Sequence, residues 1–305
     1  MSLWLLSASS LGWPAALLGA ALPMPGPDGG QKEERLHYAL AYRGLFTAFV
    51  WKALAEVTLE AGRISFEDGF ECELALGLST AGHPFAELLR PTRYRWISRA
   101  DLLLERLDWV EWWDLTDDDL EHRLAWVDWS GRRMMLFKLL KRRRPPPPLG
   151  ADGRFLASRL QGPPEGPEGR WFSYHKERPL PAQLHALNDP LSFLQAARWH
   201  DWRRGELRRV VAFKDEFRHY RARLLGRRTL TLKGRRWPVL LVELLRRDPH
   251  EADEEGFLRA WFSDDGRRLP LRFEVDGVIG RLRLELRKAQ GAFPCGGEAS
   301  TLDPH

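Results

Sequence analysis

Cysteine is scarce: Cys72 and Cys295 are the two thiols among 305 residues. A structural zinc site, which takes about four ligands, cannot be built from them alone. One disulfide in an oxidising compartment is chemically open to them. Cys72 falls in a strand-like segment, however, and Cys295 in a glycine-rich tail. Two independent thiols are therefore the expectation. Catalytic signatures are missing as well. The chain has no GxSxG nucleophile elbow, no HExxH zinc helix, no Walker loop and no GxGxxG dinucleotide turn, so none of those chemistries has its local machinery. The 9 histidines are scattered without metal-ligand spacing, and no cofactor or metal is expected. Charge of one sign is not in large excess: 47 basic residues stand against 42 acidic ones, a formal net charge of +5. Strand-alternating, acid-paired basic residues argue against a nucleic-acid surface.

Long apolar runs are also rare. One occurs, over residues 3–22, ending in Gly19, Ala20 and Ala21 ahead of Pro23 and Pro25. It reads as the core of a signal peptide cleaved near Ala21. No Lys or Arg precedes Lys32, so the usual basic start is missing. Gly12 and Pro14 interrupt the stretch, which barely reaches membrane-spanning length. Export to the periplasm or cell envelope is the resulting expectation.

What the chain does have is strand periodicity. Leu269, Leu271, Phe273 and Val275 alternate with Arg268, Pro270, Arg272 and Glu274. Leu282, Leu284 and Leu286 alternate with arginines and Glu285. One apolar and one charged face is the mark of an antiparallel sheet with a wet side. Turn signals separate the strands: Glu67-Asp68-Gly69, Asp264-Asp265-Gly266 and Asp276-Gly277. Further strands are predicted over 92–98, 102–113, 120–129, 134–140, 210–213, 220–225, 228–232 and 237–245. One helix is predicted from an Asp189 N-cap and a Pro190 first position to about Trp199. The fold class is thus mainly β: curved antiparallel sheets or a partial barrel, with a C-terminal meander and one or two short helices. In outline, 1–34 is a signal-like leader and linker. Residues 35–140 and 171–290 are β regions of one domain, 141–170 is a basic, proline-rich linker or insertion, and 291–305 is a flexible tail.

Tryptophan is abundant, at 14 residues. Buried aromatics filling a β core are the plainest explanation, and exposed ones can stack on sugars or line an amphipathic ligand's pocket. In the stretch Leu107-Asp108-Trp109-Val110-Glu111-Trp112, alternation puts Leu107, Trp109 and Glu111 on one face and Asp108, Val110 and Trp112 on the other. Neither face is clean, so a strand covered on both sides is expected. Candidate ligand-binding residues are Trp109, Trp126, Trp261, Asp264 and Arg268. Asp117-Asp118-Asp119 lacks the spaced ligands of a calcium loop and reads as a solvated turn.

Residues 260–289, AWFSDDGRRLPLRFEVDGVIGRLRLELRKA, resemble the C-terminal signature of the bacterial exported domain-of-unknown-function family 3108. The resemblance rests on Trp261, Asp264 and Asp265, Arg267 to Pro270, Gly280 and Glu285-Leu286. The steps Ser79-Thr80-Ala81-Gly82 and Asp189-Pro190-Leu191-Ser192 are similar too. The resemblance implies a β-rich periplasmic or envelope protein and carries no catalytic residues with it. A monomeric, non-enzymatic binder of a lipid-like or glycan ligand is the leading expectation. An enzyme acting on envelope polysaccharide and a scaffold with an envelope protein partner are its rivals.

Overall fold

The computed structural model describes residues 32–295, apart from 48, 67–68, 90, 117–118, 140–171, 248–254 and 278–279. Residues 1–31 of the expected leader and linker (1–34), the basic proline-rich excursion, and Asp117 and Asp118 of the acidic run lie outside the described residues; Lys32 to Glu34, expected as linker, open the first strand.

The first half is built from strands β1 (Lys32–Gly44), β2 (Lys52–Phe66), β3 (Gly69–Ser79) and β4 (Thr92–Asp101). A short helix, α1 (Pro84–Leu89), joins β3 to β4. Strands β5 (Leu107–Thr116), β6 (Asp119–Asp128), β7 (Arg133–Leu139) and β8 (Phe172–Pro179) follow. The second half opens with β9 (Leu187–Asn188) and helix α2 (Pro190–Trp199). It continues through β10 (Leu207–Phe213), β11 (Glu216–Leu232) and β12 (Arg235–Arg247). It ends with β13 (Glu255–Ser263), β14 (Pro270–Gly277) and β15 (Gly280–Gly291).

Among the described residues these strands form one sheet, ordered β8-β7-β6-β5-β4-β3-β2-β1-β15-β14-β13-β12-β11-β10-β9. Two meanders, β1 to β8 and β10 to β15, are joined where the first strand pairs antiparallel with the last. Only β9 runs parallel to its neighbour. The fold is therefore mainly antiparallel β with two short helices, as the alternation and turn residues imply. Glu67 and Asp68 lie outside the described residues, but the strands they join pair from Phe66 and Gly69 onward. Asp265 closes the β13–β14 turn, its Oδ1 accepting from Ser263 Oγ and from the Arg267 and Arg268 amides. Pro270 stands at the first position of β14, where a missing ladder donor is tolerated.

The sheet rolls but does not close by ladder bonds. Its apolar face, contributed by strands from both halves, surrounds a single core that takes in Leu36, Leu74, Trp112, Leu136, Val211, Val242 and Phe262. Helix α2 packs against β3 and β4 and also against β9 and β10, strands far apart in sheet order. A helix can touch both sets only from inside the roll. Leu191, Phe193 and Ala197 of α2 are buried in that core. Trp96 stacks on Trp112 and Phe213, with centroids 5.5 and 6.3 Å apart, so aromatic rings from β4, β5 and β10 bridge the interior. The two halves meet across the roll: Lys176 and Arg178 of edge strand β8 engage Asp215 in the β10–β11 turn, and Leu187 of edge strand β9 bridges to Arg106, its amide donating to Glu105 O at 2.8 Å.

Three expectations are corrected by the structure. Segments 220–225 and 228–232 are not two strands but parts of β11, bent by a bulge after Leu224 where Gly226 takes φ 128°. Leu107 does not share a face with Trp109. The pairing register shifts at Arg99/Ala100, and Leu107 joins Val110 and Trp112 in the main core while Trp109 faces the other way. The burial of this strand on both sides does hold, since Trp109, Val110, Glu111, Trp112 and Trp113 are all buried.

The third correction concerns the thiols. Cys72 and Cys295 are bonded, with Cα atoms 6.0 Å apart. Residues 291–295 are consequently held and do not form the start of a flexible tail. Ala292 N donates to Glu33 O, Arg63 Nε to Pro294 O, and Phe293 stacks on Trp199. Gly291 makes this turn possible. At φ 70°, a Cβ there would lie 1.7 Å from Glu33 O.

Candidate functional site

The residues expected to bind ligand divide between two places. Trp109 and Trp126 are cross-strand partners on β5 and β6. With Leu124, Met135 and Phe137 they form a second apolar cluster on the face opposite the main core. The Arg99 guanidinium lies 4.5 Å from the Trp109 ring centroid. Trp261 packs on the main core. Asp264 pairs with Arg227 at 2.8 Å. The carbonyl of Arg268 accepts from Arg198 Nε at 2.7 Å, and its backbone takes φ 47°. These five do not converge on one cavity. The interior that would have formed the expected ligand chamber is occupied by α2 and its aromatic neighbours.

A cleft of about 430 Å³ does open elsewhere, where the segment before β9 crosses β10, β11 and the end of β12. Its apolar lining is Leu184, Ala186, Val210 and Tyr220, and its polar lining is dominated by Arg208, Arg209, Arg221 and Arg247, with His185 and His219 beside them. The β10–β11 hairpin register makes this convergence. Arg208 lies opposite Arg221, Arg209 opposite Tyr220, and Val210 opposite His219, and the next pairing sets His219 opposite Arg247. Like charges facing one another across a ladder are unfavourable. Glu206 offsets one pair by accepting from Arg208 and Arg221, each at 3.2 Å. Burial works upward on the Glu206 carboxyl. The hydrogen bond from Arg208 and the charge of Arg221 overcome it, leaving Glu206 below the usual carboxylate range. Glu105 takes Arg209 at 3.3 Å. Glu206 and Glu105 thus hold Arg208, Arg209 and Arg221 in place around the cleft.

Sequence reasoning missed this cleft. Arg208, Arg209 and Arg221 read as members of ordinary charged strand faces, because alternation alone does not say that two such faces and a preceding loop enclose a space. Arg208 and Arg209 on one arm of a hairpin and Arg221 on the other were the available signal.

Two carboxyls on β3 and β5 have their ionisation strongly perturbed. Burial pushes Glu71 up to about 7, aided by the charge of Asp108. Burial likewise pushes Asp108 up to about 6, with Asp101 adding to it and Arg106 opposing. Neither lines the cleft. Their consequence is for stability. The fold favours protonated Glu71, so its contribution is complete below about 4.5 and is lost as pH rises through about 7. Glu71→Gln, permanently neutral, is expected to raise stability at pH 8 by about 2 kcal/mol, allowing for solvent at this partly exposed carboxyl, with no gain at pH 4. Urea denaturation at the two pH values measures it. Equal effects at both would refute the assignment.

Among the described residues no group of three or more His, Cys, Asp or Glu side chains is arranged to hold a metal ion, and no helix is long and apolar enough to cross a membrane. No family model and no curated protein matches the chain. Among solved structures, the chain is similar to a β-barrel-like protein of domain of unknown function DUF1849 from Brucella abortus. That match has a TM-score of 0.48 at 9% identity, covering 85% of this chain and 98% of that one. The chain's own sheet order and core define its class: a rolled, mainly antiparallel β-sheet packed around one helix.

Proposed function

We propose that this is a non-enzymatic protein of the bacterial envelope that binds an anionic amphiphile in the arginine-rimmed cleft. The observation that carries the reading is the combination within one cavity of an apolar lining (Leu184, Ala186, Val210 and Tyr220) and several guanidiniums. Guanidinium forks suit carboxylate and phosphate head groups, and a cavity of this size suits a small ligand. The disulfide supports an oxidising compartment, in keeping with the signal-like leader and with the resemblance to exported family 3108.

The test is titration calorimetry with a lysophosphatidylglycerol below its micellar concentration, against a monoacylglycerol of the same chain. The charged ligand is expected to bind at least about tenfold more tightly, and Arg208→Gln with Arg247→Gln to remove most of that preference. Equal affinity for the neutral ligand, or affinity indifferent to both substitutions, would overturn the proposal.

A further inference from the structure

The hairpin tip between β1 and β2 exposes what most tips conceal. Leu45, Phe49 and Val50 are 65%, 61% and 57% exposed. The tip is internally braced. Gly44 N donates to Thr47 Oγ1, that hydroxyl donates back to Gly44 O, Phe49 N donates to Gly44 O, and Val50 N donates to Thr47 O. Buried Thr47 thus holds the turn while the apolar side chains point to solvent. Phe49 sits at φ 60°, a left-handed conformation suited to Gly or Asn and strained for a bulky residue. An aromatic held exposed at such a position is a candidate for contact outside the fold.

The surroundings of the tip define its partner. In an antiparallel meander alternate connections share one rim, so the β3–β4 connection lies beside the tip. It contains α1, which packs against β2 and leaves Leu88 85% exposed. On the other side Gly44 pairs with Gly280, and Arg43 stands directly opposite Arg281. Trp51, at the base of the tip, lies under two guanidiniums: Arg283 at 4.0 Å and Arg43 at 5.8 Å from its ring centroid. Arg281 and Arg283 have acidic partners in Asp276 and Glu274. Among the described residues no carboxylate pairs with exposed Arg43 or Lys52.

We infer that this rim is a membrane-contact surface, in which Leu45, Phe49 and Val50 enter the headgroup region of an anionic bilayer while Arg43 and Lys52 engage its phosphates. Apolar side chains ahead of a tryptophan and a basic collar match the layered polarity of a lipid interface. The juxtaposition of Arg43 and Arg281 is relieved by an anionic surface. An apolar protein partner would leave the collar unmatched. The inference is independent of the cleft, which is built from β10, β11 and β12.

The test is co-sedimentation of the full chain with vesicles of phosphatidylcholine containing phosphatidylglycerol, against phosphatidylcholine alone, at low and high salt. Preference for the anionic vesicles is expected, weakened by salt. Phe49→Asn with Val50→Ser should reduce binding by about tenfold or more. Asn suits φ 60°, so the thermal midpoint of this variant should not fall, and its amphiphile binding at the cleft should be unchanged. Arg43→Gln with Lys52→Gln should remove the anionic preference, at about fivefold per charge. No vesicle binding at low salt, or binding untouched by the tip variant, overturns the inference. So does concentration-dependent self-association abolished by the tip variant, which would assign the rim to a second copy of the chain.

Discussion

Replacing Cys295 with Ser is expected to lower the stability of the oxidised protein by about 2–5 kcal/mol. The bond joins residues 223 apart in sequence. A chain-entropy treatment of a loop that long places the upper end near 5 kcal/mol. More than loop closure is involved. The segment 291–295 is held by other bonds as well: Arg63 Nε reaches Pro294 O at 2.8 Å and Arg267 reaches Gly291 O at 2.7 Å. Without the bond Phe293 is no longer pinned against Trp199. A drop in thermal midpoint of roughly 5–10 °C follows for a chain of this length. The Cys72→Ser variant should match it, and the double variant should be no worse than either single one. If reduced and oxidised wild-type protein melt together, the bond contributes nothing and this account fails.

The second large effect centres on Arg198. Its guanidinium is buried and grips Glu34 of β1 with two bonds, at 2.6 and 2.9 Å. It also donates to the carbonyls of Arg268 at 2.7 Å and Arg267 at 2.8 Å. One side chain therefore ties α2 to the first strand and to the β13–β14 turn. Removing one partner of such a pair leaves the other charged and buried, which costs about 3–5 kcal/mol. Arg198→Met should cost that much, measured by urea unfolding. Glu34→Leu should cost a similar amount. The double variant should recover a substantial part, because a buried pair replaced together by apolar residues leaves no orphan charge. Additive losses would show that the pair is not the source. Arg198 also lies 4.9 Å from the Phe293 ring centroid, so its loss and that of the disulfide should couple more than distant sites do.

Local chemistry made much of this protein legible from its residues. Asp189 caps α2, accepting from the Leu191 and Ser192 amides, and Pro190 starts it. Both effects act within one helical turn, so they are visible in a short window. The same holds for the alternation in β14 and β15 and for the Asp265 turn, whose partners lie within a few residues. β12 (Arg235–Arg247), too, runs close to the strand expected over 237–245. What escaped depends on residues far apart in sequence. Side chains 223 positions apart make the disulfide, and those 164 apart make the Arg198–Glu34 pair. Alternation shows that a strand has an apolar face but not which strand lies beside it, and the bulge at Arg99/Ala100 moved Leu107 to a different face from Trp109. Nor does composition distinguish a tryptophan that fills a core from one that waits for a ligand. The sequence by itself determined an antiparallel β chain with one capped helix. Only the tertiary structure decided that the sheet rolls around that helix, that Cys72 meets Cys295, and that arginines from a hairpin and its neighbour line a cleft. The physical reason is that turns and caps are local hydrogen-bond choices, whereas sheet curvature and cross-chain pairing are decided by which faces bury together.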